Sequence, residues 1–208
     1  LSGSGLKESV FSSKSTFGQS FAGTGEIRLA SSGIGKLFVS VQTEGLVPPE
    51  SLKPTDREIK VRRRWLNSEG KVLRDWHGEK EGSLEVSVGD LVWVEVMLQT
   101  RQANLDNIAV VDALPGGFTV ENPRLATSAV RLSGGEVLAK AARADRTEFL
   151  DDRVVLFASA KPVPRVFRYA IRAVAGGEFL VPGIQASCMY DETLSSLDQS
   201  DVVKVIVQ

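Results

Sequence analysis

Residues 89–98 read GDLVWVEVML, and the reading of this stretch decides the fold. Gly89-Asp90 supplies a turn. Beyond it Val92, Val94, Val96 and Leu98 fall on one side of an extended chain, while Leu91, Trp93, Glu95 and Met97 fall on the other. A two-residue period with β-branched residues and tryptophan is the pattern of a strand. The same pattern recurs on both sides. Upstream, residues 83–88 (SLEVSV) lead into it, and residues 58–66 (EIKVRRRWL) set Ile59, Val61, Arg63 and Trp65 against Lys60, Arg62 and Arg64. Residues 67–71 (NSEGK) then supply a turn at Gly70, so that the strand doubles back through Val72 and Leu73. Downstream, residues 108–113 (IAVVDA) form another strand, and Leu114-Pro115-Gly116-Gly117-Phe118 reads as a turn in which proline presets φ and glycine tolerates a positive one. An antiparallel return is the expected consequence. Residues 154–158, 166–174, 179–181, 185–190 and 202–207 complete the downstream strands, and residues 26–30 and 36–42 (KLFVSVQ) add two near the start, with Leu37, Val39 and Val41 sharing a face.

One segment departs from the pattern. Residues 137–144 (VLAKAARA) favour a short helix, so a helical insertion is expected near residues 123–148. Many short strands separated by turns, with little helical periodicity elsewhere, give an all-β chain folded as an antiparallel β-sandwich. Its 208 residues, 42% of them hydrophobic, are enough to fill such a core.

Composition removes several classes of function. Lysine and arginine total 25 against 26 acidic residues, so no net field draws nucleic acid or anionic lipid to the chain. The apolar stretches are strand-sized, as at residues 154–158, and no direct membrane contact is expected of this segment. One cysteine, Cys188, and one histidine, His77, leave no material for a disulfide framework or a cysteine-rich zinc site. Residue 1 is leucine, and the first twenty residues lack the basic and apolar regions of a secretion signal, which reads as a fragment of a longer chain.

The candidates for chemistry are few. Lys60, Arg62 and Arg64 share one strand face, either a solvated outer surface or a basic face that binds a partner. Asp151 with Asp152, and Asp191 with Glu192, lack the alternate-position oxygen ligands of a calcium loop and read as strand-end caps. Asp112 reads as a turn or strand-edge residue. Gly116, Gly117, Gly176 and Gly177 lack the helix and Lys-Ser/Thr of a phosphate loop. Cys188 would need a base to act as a nucleophile, and His77 lies in a polar turn, so Cys188 reads as a small buried strand residue. No catalytic residue, metal ligand or cofactor is expected.

Several strings go further than the strand pattern does. KLFVSVQTEG at 36–45, GDLVWVEV at 89–96, VVDALPGGFTVENPRL at 110–125, DDRVVLFA at 151–158 and FRYAIRAVAGGEFLVPGIQASCMYDE at 167–192 occur in this order. Together they resemble the C-terminal macroglobulin-like domain of bacterial α2-macroglobulins. Part of the series, from Gly89 to Val120, also resembles repeats of adhesin-like proteins of the bacterial envelope, but the later strings have no place in such a repeat.

The resemblance carries its own expectations. It implies that residues 1–35 are the tail of a preceding β domain and that residues 36–208 are the macroglobulin-like sandwich. It implies a non-catalytic module of a periplasmic protease-trapping protein, with an N-terminal lipid anchor on the inner membrane. Its partners would be the thioester-bearing helical domain of the same parent chain, target proteases and other envelope proteins. The Cys-x-Glu-Gln string of the thioester is absent here, and Cys188 has no glutamine three residues on. Met189-Tyr190 then matches a hydrophobic pair that packs over the thioester and keeps it dry.

Overall fold

A computed structural model describes residues 34, 38–40, 52–76, 83–121 and 141–207. By packing, the chain separates into Leu1–Glu44 and Gly45–Gln208. Of the first unit only Ile34, Phe38, Val39 and Ser40 are described, all outside strands. The expected strand at 26–30 lies outside the described residues, as do Leu37 and Val41 of the one expected at 36–42.

The second unit is all-β among its described residues, as the alternation requires. One sheet runs β3 (Val72–Asp75), β2 (Ile59–Leu66), β5 (Leu91–Thr100), β10 (Arg165–Ala173) and β7 (Phe118–Glu121). The other runs β1 (Thr55–Arg57), β13 (Asp191–Leu197), β12 (Gln185–Cys188), β6 (Leu105–Ala113), β9 (Arg153–Ala160) and β8 (Arg146–Phe149). A third, smaller sheet joins β11 (Gly177–Val181), β14 (Asp201–Ile206) and β4 (Leu84–Ser87). Every pairing between strands is antiparallel except that of β14 with β4.

The inner faces are those the two-residue period selects. Ile59, Val61 and Trp65 of β2, Val92, Val94, Val96 and Leu98 of β5, and Phe167 and Ile171 of β10 meet Ile108 and Val110 of β6 and Val154, Leu156 and Ala158 of β9 in one core. Val203, Val205, Leu84 and Val86 extend that core under the small sheet. Trp93, on the outer side of β5, is buried too, with Leu66, Ala170 and Leu91 around it.

Three expectations change. Ala141 to Ala144 are not helical, and the polar stretch after them forms edge strand β8; residues 122–140 lie outside the described residues. The LPGGF turn does not return its chain to β6. It carries the chain across to the other sheet, where β7 pairs with β10, Phe118 facing Ala173. Of its two glycines, Gly117 is required, and for a different reason. Neither has a positive φ. Instead the ring of Phe179 lies so close that a Cβ on Gly117 would stand 2.3 Å from it. The β2–β3 hairpin, by contrast, forms as expected: Asn67 Oδ1 accepts from the backbone N–H groups of Glu69 and Lys71, and Gly70 takes φ +83°.

A second glycine is fixed by contact. A Cβ on Gly183 would lie 2.2 Å from the carbonyl oxygen of Asp198, a backbone atom that has no rotamer to escape into. Gly183→Ala is therefore expected to destabilise the chain by about 1–3 kcal/mol, as overpacking does. Gly116→Ala, whose methyl meets the Phe179 ring at 3.6 Å, is expected to stay within about 1 kcal/mol of the parent, since its φ suits alanine. Urea midpoints of the two variants check the contrast.

Candidate docking site

The polar heart of the sandwich is the first feature that strand alternation alone did not disclose. Arg63 stands on the inner face of β2 between Val61 and Trp65 and is 2% exposed; Asp112 stands on the inner face of β6 and is 1% exposed. Arg63 Nη1 donates to Asp112 Oδ1, Arg63 Nη2 donates to the Pro182 carbonyl at 2.7 Å, and the Tyr169 hydroxyl donates to Asp112 Oδ2 at 2.5 Å. The guanidinium carbon lies 4.6 Å from the centroid of the Trp76 ring. Burial, then the neighbouring charge of Asp112 and the hydrogen bond to it, push the Tyr169 hydroxyl well above its ordinary pKa, with Arg63 opposing, so it remains a donor. Asp112 is thus no strand-edge residue. It is one half of an ion pair that ties the two sheets together.

That pair aligns β6, and β6 aligns β12. Gln185 to Cys188 pair with Val111 to Ile108, residue for residue. Asn107, which precedes Ile108, takes φ +60° at an irregularity in the β6–β9 register, a left-handed conformation that asparagine tolerates. Its carbonyl thereby accepts the N–H of Met189 at 2.9 Å. Cys188 pairs with Asp191, which leaves Met189-Tyr190 as a two-residue turn between β12 and β13. Asp191 Oδ1 then accepts from Thr193 N–H at 3.0 Å and from its hydroxyl at 2.6 Å, so the exit from the turn is also tied. The sequence reads strand through residue 190; the structure ends the strand at Cys188.

The outcome is a rigid base with an apolar tip. Met189 is 46% exposed and Tyr190 is 81% exposed, so neither side chain serves the core of the sandwich. Cys188 beneath them is buried, its Sγ 3.8 Å from the Asp106 carbonyl, with no carboxylate or histidine placed as a base by any described contact.

The other candidates resolve into local structure. Arg62 forms a bidentate pair with Asp56, Nη1 to Oδ1 at 2.8 Å and Nη2 to Oδ2 at 2.5 Å, while Arg64 and Arg168 both donate to Glu95. Of the basic face Lys60 is exposed while Arg62 and Arg64 are half-buried, and Lys60 borders with Arg62 and Trp76 a shallow depression of about 340 Å³. Asp152 pairs with Arg153, whose hydrogen bond and charge hold the carboxyl below its usual range. Among the described residues no group of three metal-ligating side chains converges, and His77 lies outside them.

Ser196 and Asp56 stitch the open side of the sandwich. Ser196 Oγ accepts from Val61 N–H at 3.0 Å and donates to Asp56 Oδ1 at 2.7 Å. Burial pulls the Asp56 carboxyl up, but hydrogen bonds from Arg62 and Ser196, with the charges of Arg62 and Lys60, together hold it below the ordinary value.

Residues 59–192 match the family model described as the bacterial α2-macroglobulin MG10 domain. The α2-macroglobulin of Escherichia coli (strain K12) is 31% identical over 176 residues, covering 79% of this chain and 10% of its own length. That of Pasteurella multocida (strain Pm70) is 26% identical over 143 residues, covering 69% of this chain and 7% of its own length. Among solved structures, E. coli α2-macroglobulin activated by porcine elastase superposes with a TM-score of 0.63 at 26% identity, over 73% of this chain and 13% of that one. Native E. coli α2-macroglobulin from domain MG7 to the C-terminus gives 0.61 at 27% identity, over 74% of this chain and 24% of that one. The chain thus spans a tenth or less of the length of these two curated relatives.

Two outcomes follow from the site. Asp112→Leu strands a buried guanidinium and is expected to cost about 3–5 kcal/mol, whereas adding Arg63→Met removes the stranded charge and recovers part of the loss, with the Tyr169 hydroxyl and the Pro182 carbonyl still lacking their partners; a double-mutant cycle of these two substitutions by urea unfolding measures the difference. Asp56 has a folded pKa depressed below its unfolded value, so its contribution is complete above about pH 4 and is lost as pH falls through the folded value. Asp56→Asn should accordingly lower the urea midpoint at pH 7, and the gap from the unsubstituted chain should narrow as pH falls below the ordinary carboxylate range.

Proposed function

The chain belongs to the bacterial α2-macroglobulin family through its MG10 domain, and from that premise we infer that it is a non-catalytic docking module of a longer, protease-trapping parent. We take that parent to be periplasmic and the docking partner to be its thioester-bearing domain. The observation that carries the reading is the turn at Met189-Tyr190: two large side chains held out on a hairpin whose entry and exit are both tied by hydrogen bonds.

The chemistry suits a cover. An acyl thioester hydrolyses unless water is kept from it. Methionine supplies adaptable apolar bulk, and tyrosine supplies a rigid apolar ring with one polar end. Burying either side chain is worth roughly 1.5–3 kcal/mol, enough to bias a closed state over an open one by one to two orders of magnitude. Cleavage of the parent by a protease would then need only to weaken that contact for water or an amine to reach the bond.

The test uses the full-length parent carrying Met189→Ala and Tyr190→Ala. Methylamine incorporation is expected to accelerate by about ten- to a hundredfold before any protease is added. An unchanged rate rejects the shield.

A further inference from the structure

A second apolar tip shares the end of the sandwich that carries Met189-Tyr190. The turn between β9 and β10 reads Lys161-Pro162-Val163-Pro164, and Val163 is 75% exposed. Strand pairing puts both tips at one end. Leu105, at the start of β6, faces Ala160, the last residue of β9, and Ile108 faces Cys188, the last residue of β12. Since β6 lies between β9 and β12, the strands leading to the two tips are two spacings apart, about 10 Å.

The turn is built to hold Val163 outward. Pro162 and Pro164 fix φ on either side of it. The Lys161 carbonyl accepts the Thr100 N–H at 3.0 Å, and the Pro162 carbonyl accepts from Gln99 Nε2 at 2.7 Å. Across the base, Arg165 Nη1 donates to the carbonyl and hydroxyl oxygens of Ser159, at 2.7 and 2.9 Å, above a fully buried Ala160. A lone valine on a surface is ordinary. A valine between two prolines, on a turn anchored to both sheets, has already lost the freedom that docking would otherwise remove. Arg101, Lys161, Asp106, Asp191 and Glu192, all exposed, lie next to the strand ends that lead to the tips, so charged groups accompany the apolar points.

We propose that Val163 is a second docking contact, so that this end of the sandwich closes on another domain of the same parent chain at two points rather than one. One contact is a pivot; two, carried by strands two spacings apart, set an angle. The occupant is a tethered domain because the chain spans only 7–10% of the length of its relatives, and a domain on the same chain meets this face at an effective concentration that a free protein would not reach. The inference builds on the docking reading above and adds to it a residue and an orientation.

The experiment is maleimide labelling of the full-length parent carrying Val163→Cys, beside Leu150→Cys as reference, both in a Cys188→Ala background. Leu150 is 43% exposed and sits between β8 and β9, at the opposite end. Position 163 is expected to react about tenfold more slowly than position 150, independently of protein concentration. Equal rates overturn the proposal, and so does protection that appears only as concentration rises, which would make the occupant a second copy. Slow labelling at 163 together with unchanged methylamine uptake in the Met189→Ala, Tyr190→Ala protein keeps the second contact and rejects the shield. Fast labelling with accelerated uptake does the reverse.

Discussion

An arginine that faces inward has to be answered, and in this sandwich the answer fixes how the two sheets lie on each other. Arg63 of β2 meets Asp112 of β6, and Tyr169 of β10 completes the carboxylate from the side. Shifting either strand by one residue would turn one partner toward solvent and leave the other buried without its charge, at a cost well beyond that of a poorly packed methyl group. The pair therefore sets register where apolar contacts alone would accept small slips. The same arginine also holds the Pro182 carbonyl, just ahead of β12, so the strand that carries the Met189-Tyr190 turn is secured to the same point.

The ends of the sandwich inherit this alignment. With β6 fixed, the turned carbonyl of Asn107 is in place for the Met189 N–H, and the hairpin tip needs no support from its own side chains. Apolar groups are then free to point outward at positions where the backbone has been immobilised by other means: hydrogen bonds at residues 189–193, prolines at 162 and 164. Tips immobilised in this way would dock without reorganising, as the proposed hold on a neighbouring domain requires.

The sequence discloses whatever lies on a buried face and little of what does not. Strands β2, β5, β6, β9 and β10 each set buried apolar residues at alternate positions, opposite a basic side in β2 and a mixed one in the other four, and their reading from alternation agrees with the structure to within a few residues. Strand β1 is exposed at all three residues, β8 is a polar edge, and β13 (DETLSSL) places Ser196 rather than an apolar group at its buried position, because Val61 N–H and Asp56 need that hydroxyl. None of these shows a period. The buried pair was half legible: alternation puts Arg63 beside Val61 and Trp65, and Asp112 beside Ile108 and Val110, but only the fold brings the two together. Gly117 of LPGGF was legible as a glycine and misleading as to cause, since its role is to admit the ring of Phe179 from a strand some sixty residues away in the chain. The exposure of Met189 and Tyr190 had no local signal, because QASCMY continues the composition of a strand past the point where the turn begins.

The account stands or falls on whether the turn at Met189-Tyr190 touches its own parent chain. Photo-cross-linking from benzoylphenylalanine placed at position 190 of the full-length protein, with the adducts mapped by mass spectrometry, reads this directly. The account predicts intramolecular adducts to residues flanking the thioester in the intact protein and their loss after cleavage by a protease. A tip that forms no adduct within its own chain in the intact state would contradict it.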